Sequence, residues 1–302
     1  MTKANGKLLI TGEYFVLDGA KAVAVPTKLG QSFKVKEQSR GYDLTWKSFD
    51  HQKKVWFSAK YSLYDFSILE STNKDIAKSL AKMLRACCQQ NSDFLSNWKG
   101  YQVVSQLDFP LEWGLGSSST LIQFLAEWAE VNPFILLFDT LGGSGYDVAC
   151  ASAEGPISYT LMEDQLSIDH LEQPLPFSAH WYFVYSGRKQ SSADEVSAYQ
   201  KIKKDKTAYL QKISDLSTSL LKTRTLGELK EIFQQHEILV GEFLDREPLG
   251  KSFDDFPGVI KSSGAWGGDF FIAVSETSEA ETKKYFQGKG YKTIFTYKDL
   301  IL

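Results

Sequence analysis

The hydrophobic residues of this chain recur with two spacings, and each spacing predicts a different kind of element. In the first sixty residues apolar and polar positions mostly alternate, which is typical of half-buried β-strands. Residues 7–17 predict a strand that is interrupted at Gly12 and Glu13. Further strands are predicted at 22–25, 32–36, 42–46 and 55–59. The N-terminal region is therefore expected to be mostly sheet.

Helical spacing of apolar residues begins at about residue 73 and continues to residue 89. Beyond that helix, the apolar runs predict strands at 101–109, 156–160, 181–185, 270–274 and 293–297. Helical patterns cover 193–245, with one interruption near 225–227, and 279–287. The long helical region carries no group of catalytic type, so we interpret its charged residues as solvated faces.

The stretch from Pro110 to Leu121 places two glycines and a run of hydroxyl residues directly before a segment with helical apolar spacing. Glycine lets the backbone approach an oxyanion closely, because it has no Cβ. The first N–H groups of a helix lack intrahelical acceptors and, together with the helix dipole, favour a phosphate. Serine and threonine at the junction can cap the helix or offer a hydroxyl to a phosphate-bound metal ion.

The same stretch has a simpler interpretation, since a run of glycine and serine is often only a solvated loop with a helix cap. It is not a Walker A motif, because no lysine follows the second glycine. It also lacks the third glycine of the dinucleotide fingerprint. From this loop alone both interpretations stay open, and any cation for nucleotide chemistry must come from elsewhere in the chain.

Two further glycine clusters and a basic turn follow. Residues 142–149 carry Asp147, a short carboxylate beside a glycine turn, which is a candidate general base or metal ligand or only a turn residue. Residues 262–269 precede an evident strand, where clustered glycines indicate a close backbone approach to a ligand or to another loop. Residues 186–192 form a basic, hydroxyl-rich turn that suits an anionic substrate, or that simply caps the next helix.

Composition limits the class of protein. The chain has 302 residues, of which 43% are hydrophobic, enough for two domains or one large one. A formal net charge of −3 gives no general attraction to nucleic acid or to an anionic membrane, so we expect neither as a partner. The three cysteines have no metal-ligand spacing and suit a reducing compartment, and the four scattered histidines are interpreted as structural or surface residues. No apolar run reaches the roughly 18 residues that span a bilayer, and no export signal is evident, so we expect a soluble cytoplasmic protein.

Together, the three glycine clusters resemble the motifs of the GHMP kinase family, which includes galactokinase, homoserine kinase, mevalonate kinase and phosphomevalonate kinase. The first motif is similar to residues 6–17, the second to 110–120 and the third to 263–269. The resemblance covers nearly the whole chain, and the second motif is its most specific part. Gly-Lys-Leu and Gly-Glu-Tyr in the first motif, and Gly-Gly-Asp in the third, are most similar to the mevalonate kinase and phosphomevalonate kinase branch.

The resemblance implies an α+β fold with two domains. The N-terminal domain is expected to be a ribosomal-protein-S5-like α/β domain with a left-handed crossover, and the C-terminal domain a ferredoxin-like α+β domain. We place the nucleotide-binding domain at residues 1–160 and the second domain at residues 161–302. The resemblance also implies ATP and Mg²⁺ as cofactors, a small-molecule substrate, and a monomer or homodimer.

The roles of individual residues are likewise implied by the resemblance. Lys7 is expected to stabilise charge near the γ-phosphate, and Asp147 to orient or deprotonate the acceptor hydroxyl. Ser118 is expected to offer its hydroxyl to Mg²⁺. The residues expected to bind the phosphates are Gly114, Leu115, Gly116, Ser117, Ser118 and Ser119. The residues expected to bind the substrate are Glu13, Lys189, Ser191, Ser192, Gly264, Ala265 and Gly267.

The chain departs from the family's pattern at several positions. Asn5 stands where the family usually has proline. Trp266 interrupts the glycine run of the third motif, where we expect it to narrow the pocket. The interval before Gly142 is short, and none of its acids matches the spacing of the magnesium-binding glutamate in mevalonate kinase. These acids are Glu127, Glu130 and Asp139. The second metal ligand therefore has no assignment.

Three functions stay open at the level of sequence. The leading hypothesis is a kinase that acts on mevalonate or phosphomevalonate. A second is an ATP-dependent diphosphomevalonate decarboxylase, whose reaction releases CO₂. A third is a non-catalytic protein of the same fold that binds a nucleotide or another ligand without turnover, although the retained lysine, serine and aspartate argue against it.

Overall fold

The computed structural model describes residues 1–39, 41–162, 165–189, 192–266 and 268–302, and for Ser192 and Ala193 it describes the backbone alone. The chain divides into two compact units. Unit 1 consists of Met1–Gly6, Leu29–Leu111 and Leu115–Ser152. Unit 2 consists of Lys7–Lys28, Glu112–Gly114 and Ala153–Leu302. The domain boundary that the sequence predicts at residue 160 stays a prediction.

Two long strands begin the chain, and each contributes residues to both units. Strand β1 is Thr2–Thr11 and strand β2 is Ala22–Gln38, and the two strands pair with each other. The strands predicted at 22–25 and 32–36 are therefore one continuous strand. Gly30 makes the pairing possible, because a Cβ at this position would lie 2.2 Å from the carbonyl oxygen of Ala4.

The predicted continuation of a strand beyond Glu13 is wrong. Strand β1 ends at Thr11, and Phe15–Asp18 form a 3₁₀ turn instead. Gly12 and Tyr14 both have positive φ, 95° and 62°, so the chain reverses rather than extends.

Unit 1 is a sheet covered by helices. Its strands are β3 Asp43–Phe49, β4 Val55–Ser62, β5 Ile68–Ser71 and β6 Gly100–Leu107. Its helices are α1 Lys74–Gln90, α2 Ser117–Ala129, α3 Pro133–Thr140 and α4 Tyr146–Ser152. The strand order is β5-β4-β3-β6-β2, in which β3 and β6 are parallel and the other pairs antiparallel. The predicted helix at 73–89 and the strands at 42–46, 55–59 and 101–109 are confirmed.

The apolar face of helices α1 and α2 packs on this sheet and forms the core of unit 1. Phe33 of the sheet stacks on Phe124 of helix α2 with ring centroids 4.1 Å apart. Trp46 and Leu84 are fully buried in the same cluster. Asn73 caps helix α1 by accepting hydrogen bonds from the N–H groups of Asp75 and Ile76, which explains why the helix begins at this point.

Unit 2 contains a four-stranded antiparallel sheet, a hairpin and five helices among its described residues. The hairpin is β7 Ile157–Met162 and β8 Gln165–His170, and the first part of β2 pairs with β7. The sheet strands are β9 Trp181–Tyr185, β10 Gly258–Ser262, β11 Phe270–Ser275 and β12 Ile294–Thr296, in the order β10-β11-β9-β12. The helices are α5 Ser192–Gln200, α6 Thr207–Lys222, α7 Leu226–Leu244, α8 Glu279–Gly288 and α9 Tyr297–Leu300.

The long helical region contains one break more than the sequence predicts. The interruption near residue 225 is confirmed, and it coincides with a capping box in which Thr225 and Glu228 satisfy each other's backbone N–H groups. A second break lies at residues 201–206, where Asp205 accepts a hydrogen bond from the N–H of Thr207, the first residue of α6. The mixed α+β class is confirmed. No described helix has both the length and the apolar character needed to cross a bilayer.

The contact of Gly30 with strand β1 generates a test of the fold. We expect Gly30→Ala to lower the free energy of unfolding by about 1–3 kcal/mol, because the added methyl must displace backbone rather than a flexible side chain. The control is Gly288→Ala, since a Cβ at Gly288 meets nothing within 4 Å. Urea unfolding monitored by circular dichroism measures both variants. Equal unfolding midpoints for Gly30→Ala and the wild type would show that the close approach of Gly30 to Ala4 is absent in solution.

Candidate active site

The glycine-serine loop forms the N-terminus of helix α2. Gly114 and Gly116 both have positive φ, 65° and 90°, as the close turn requires. Gly116 occupies the N-cap position and has no side chain to cap the helix. The first N–H groups of α2, which lack intrahelical acceptors, are therefore not covered by a side chain of the N-cap residue. This arrangement suits a phosphate.

The hydroxyl groups of this loop differ in their surroundings. The Ser119 hydroxyl donates to the Gly116 carbonyl at 2.8 Å, and the Thr120 hydroxyl lies 2.9 Å from the Ser117 carbonyl. Both side chains are buried, whereas Ser118 is exposed. Ser118 is the most exposed of these hydroxyl residues and Ser117 is half-buried, so the hydroxyl of Ser118 is accessible to a ligand from solvent, as its predicted role in binding Mg²⁺ requires.

Asp147 lies in the first turn of helix α4, which packs against α2 within unit 1. The glycines that precede it, Gly142, Gly143 and Gly145, all have positive φ, so the predicted glycine turn is present. The sequence predicted only a turn, yet the chain continues from Gly145 into a short helix. The half-buried carboxylate of Asp147 accepts a hydrogen bond from the Val148 N–H at 3.0 Å. Unit 1 thus places Asp147 and the start of α2, which is predicted to bind phosphate, on neighbouring helices.

Gly114 belongs to unit 2, where it contacts the third motif. A Cβ on Gly114 would lie 2.0 Å from Oδ2 of Asp269, so a side chain at this position would displace the Asp269 carboxylate, and the φ of 65° adds strain. Asp269 in turn donates its N–H to the Arg188 carbonyl at 2.8 Å and accepts the Ser186 N–H at 2.7 Å. One aspartate therefore joins the start of the loop to the turn after strand β9, a role that the sequence did not reveal.

Lys7 is half-buried on strand β1, and in unit 2 its strand meets the third motif. The Ser263 hydroxyl donates to the Leu9 carbonyl at 2.8 Å. The next residues, Gly264 and Ala265, are partly exposed, and a Cβ on Gly264 would meet nothing within 4 Å. Unit 2 therefore brings together the strand of Lys7 and the two glycine-turn residues expected to bind substrate. Gly267 lies outside the described residues.

The expectation that Trp266 narrows the pocket is wrong. The side chain is buried in an apolar cluster with Tyr14, Tyr199 and Val240. The backbone N–H of Trp266 donates to the Tyr14 hydroxyl at 3.0 Å, and that hydroxyl donates to the Glu195 carboxylate at 2.9 Å. The tryptophan therefore turns the third motif toward the core of unit 2 and anchors it there.

The basic turn after strand β9 is only partly described. Arg188 and Lys189 are exposed at its end, so their charges are accessible to an anionic molecule. Ser191 lies outside the described residues, and Ser192 begins helix α5 without a described side chain. The predicted substrate contacts of these two serines stay predictions.

Glu13 lies in a fully buried cluster with three residues of unit 2. Its carboxylate accepts a short hydrogen bond from the Lys261 ammonium, and its Oε2 lies 3.2 Å from Nε2 of His236. That Nε2 accepts the Gly12 N–H at 3.0 Å, so it carries a lone pair. Glu237 accepts the Ser262 N–H at 3.0 Å and the Ser262 hydroxyl at 3.1 Å. Glu13 has no exposed surface in the structure. Its predicted contact with substrate stays a prediction.

Burial determines the protonation states in this cluster. It raises the pKa of Glu13 from 4.5 to about 7, in opposition to the Lys261 charge, which lowers it. Burial also raises the pKa of Glu237 and holds the pKa of His236 well below its ordinary value, so the imidazole is neutral. The raised pKa predicts that Glu13 holds a proton below about pH 7.

The interpretation of the charges on α7 as solvated is wrong for Glu237, which is buried, whereas the buried His236 agrees with the interpretation of the histidines as structural or surface residues. A signal for His236 was present in the sequence. Leu229, Phe233, His236 and Val240 recur at helical spacing, so the histidine lies on the apolar stripe of the helix. No such signal identified its partners Glu13 and Lys261, which are far away in the sequence.

A complete metal site is not present among the residues that the structure describes, where no three His, Cys, Asp or Glu side chains are arranged so that they could hold a metal ion. Ser118 fits Mg²⁺ bound to a nucleotide, because its hydroxyl is exposed at the helix N-terminus. Of the nearby acids, Glu130 ends helix α2 in a left-handed conformation and Asp139 is exposed on α3. The second ligand still has no assignment.

Comparison with known proteins was made at the level of sequence and of structure. Neither a family model nor a curated protein matches the sequence. Among solved structures, the chain is similar to the Methanococcus jannaschii mevalonate kinase, with a TM-score of 0.69 and 17% identity over 97% of this chain and 96% of that one. It is also similar to the Streptococcus pneumoniae phosphomevalonate kinase in complex with phosphomevalonate and AMPPNP, with a TM-score of 0.72 and 18% identity over 97% and 98%.

A sugar kinase has the same fold. The Lactococcus lactis galactokinase complexed with galactose gives a TM-score of 0.70 with 10% identity, over 97% of this chain and 91% of that one. The chain therefore has the fold of the GHMP kinases, as its three motifs predicted. Because the fold is shared by kinases of different acceptors, it does not select one acceptor.

The raised pKa of Glu13 predicts how stability depends on pH. The folded chain binds this proton more tightly than the unfolded chain, so the contribution of Glu13 is fully present below pH 4.5 and is lost as pH rises toward about 7. We expect the free energy of unfolding of the wild type to fall across this window, relative to Glu13→Gln, by up to about 1.4 kcal/mol per pH unit. Urea unfolding of both proteins at a series of pH values measures the difference, and parallel curves would mean that Glu13 titrates normally.

Proposed function

We propose that the chain is an ATP-dependent kinase that transfers the γ-phosphoryl group of ATP to an oxygen of a small acceptor. The observation that carries this proposal is the loop at 114–118, with two left-handed glycines, an uncapped helix N-terminus and one exposed hydroxyl. Its occurrence in a chain with the fold of mevalonate, phosphomevalonate and galactose kinases supports a phosphate-binding role over a solvated loop.

The chain's own residues divide the work as follows. The N–H groups at the start of α2 hold the phosphate oxygens, and Ser118 holds the Mg²⁺ that accompanies the nucleotide. When bound, Mg²⁺ neutralises charge on the phosphates. Lys7 stabilises the negative charge that develops on the transferred group, and Asp147 orients the acceptor hydroxyl and receives its proton. Positioning and charge neutralisation dominate such a reaction because its transition state is loose.

The acceptor is proposed to be mevalonate or phosphomevalonate. Two observations favour an anionic acceptor of this kind. The turn after β9 presents two exposed cations, Arg188 and Lys189, and similar structures include kinases of mevalonate and phosphomevalonate. With Ser191, Ser192, Gly264, Ala265 and Gly267, this turn forms the proposed acceptor site.

The direct test measures ADP release by the purified chain against mevalonate, its phosphates, homoserine and simple sugars. We expect turnover with one of the anionic mevalonate compounds. Release of CO₂ together with ADP would instead identify a diphosphomevalonate decarboxylase. Nucleotide binding without ADP release for any acceptor would identify a non-catalytic protein and contradict the proposal.

Substitution of the two proposed catalytic residues gives a sharper test. We expect Lys7→Ala and Asp147→Ala each to lower kcat by at least about 100-fold, the lower range for a positioned acid–base group. The matched controls are Lys3→Ala, which removes an exposed lysine from the same strand, and Asp139→Ala, which removes an exposed carboxylate from helix α3. Near-normal turnover in either catalytic variant would remove that residue from the mechanism.

Substitutions of Ser118 and Ser119 are predicted to have different effects on the Mg²⁺ dependence of activity. We expect Ser118→Ala to raise the Mg²⁺ concentration needed for half-maximal activity by about 10-fold, because a direct ligand is lost. Ser119→Ala should leave that concentration unchanged, since its hydroxyl is bonded to the Gly116 carbonyl. A magnesium titration of ADP release measures both variants, and equal midpoints would reject Ser118 as the ligand.

A further inference from the structure

Four ionisable side chains are buried together in unit 2, behind the first and third motifs. They are Glu13, His236, Glu237 and Lys261, and none is more than 2% exposed. The effective penalty for taking an ion out of water is several kcal/mol unless partners repay it. The four side chains must therefore be stabilised by specific contacts. Those contacts show which segments of the chain the cluster holds in place.

The contacts run outward to the backbone of both motifs. Helix α7 holds the first motif through His236, which accepts the Gly12 N–H. The next residue of the helix, Glu237, holds the start of the third motif, because it accepts both donors of Ser262, the residue directly before that motif. Lys261 joins the two, since its ammonium donates to Glu13 and, at 2.8 Å, to the Ser262 carbonyl.

The third motif is in turn bonded to the strand that carries Lys7. Ser263 follows Ser262 directly, and its hydroxyl donates to the Leu9 carbonyl. Leu9 lies two positions after Lys7 on strand β1, so the two side chains leave the same face of the strand. A shift of residues 262–263, at the end of strand β10, would therefore move the segment from which the Lys7 side chain projects.

We propose that Lys261 is a positioning residue, whose buried ammonium fixes the first motif and the third motif in one arrangement and thereby sets the place of Lys7. This inference rests on the proposed function, because it takes Lys7 as a catalytic residue. Lys261 has no exposed surface, so it acts through the backbone of the two motifs and not by contact with a substrate.

The first test replaces Lys261 by methionine and measures steady-state kinetics. We expect Lys261→Met to lower kcat at least 10-fold while the KM values for ATP and the acceptor change less than about 2-fold, because misplacement of a catalytic group affects the transition state most. The matched control is Lys230→Met on the outer face of α7, where the lysine pairs with Glu276 at the surface. A change in KM alone would overturn the proposal.

A second variant separates positioning from stability. Lys261→Met with Glu13→Gln removes the unpaired carboxylate as well as the ammonium, and removal of a whole buried pair is often neutral for stability. We expect the double variant to recover most of the unfolding midpoint that Lys261→Met loses, with kcat still reduced at least 10-fold. Recovery of kcat together with the midpoint would show that the cluster serves stability alone.

A third measurement does not depend on activity. Amide hydrogen exchange of residues 8–12 and 262–266 should accelerate at least 10-fold in Lys261→Met, while the amides of 74–90 in helix α1 keep their rates. Unchanged exchange in both segments would overturn the proposal. If exchange changes as expected but the wild type releases no ADP with any acceptor, the proposed function fails while the coupling of the two motifs stands.

Discussion

A fully buried ammonium must be matched by acceptors, and this constraint on Lys261 organises the part of unit 2 that holds the first and third motifs. The acceptors come from two places, the carboxyl group of Glu13 in the first motif and the carbonyl of Ser262 directly before the third. Helix α7 holds the same two segments, since His236 accepts the Gly12 N–H and Glu237 accepts the Ser262 N–H. Residues more than two hundred positions apart in the chain are thereby held in one arrangement, because any other arrangement would leave a charge or a backbone donor unsatisfied.

Close packing, as well as ligand binding, explains why glycine stands at several positions of the motifs. A Cβ on Gly12 would collide with Ala22, and one on Gly114 with the Asp269 carboxylate, so a side chain at either position requires a local shift whatever the ligand. Gly264 is different, since it has positive φ and open space around its Cα. The described glycines thus include some that are held by close packing and others, among them Gly264, Gly142 and Gly143, that leave open space where a side chain would be.

Local pattern predicted what local physics determines. The helix after the glycine-serine loop, the glycine turn before Asp147 and most strands follow from spacing and backbone freedom, whereas the predicted serine or threonine cap of that helix is absent because Gly116 occupies the N-cap. The direction of Trp266 and the partners of His236 do not, because they depend on contacts between distant segments. The glycine run suggested a tryptophan beside a ligand, yet apolar burial against Tyr14 and Val240 outweighed that position. The sequence therefore predicted more of the fold than of the contacts within the site.

The most direct test of this account follows the terminal phosphoryl group itself. ATP labelled at the γ-phosphorus is incubated with the purified chain, Mg²⁺ and either mevalonate or phosphomevalonate, and the products are separated. The account predicts that the label appears in the acceptor in equal amount to the ADP formed. Label that is found only in inorganic phosphate, or that stays in ATP with every acceptor, would contradict it.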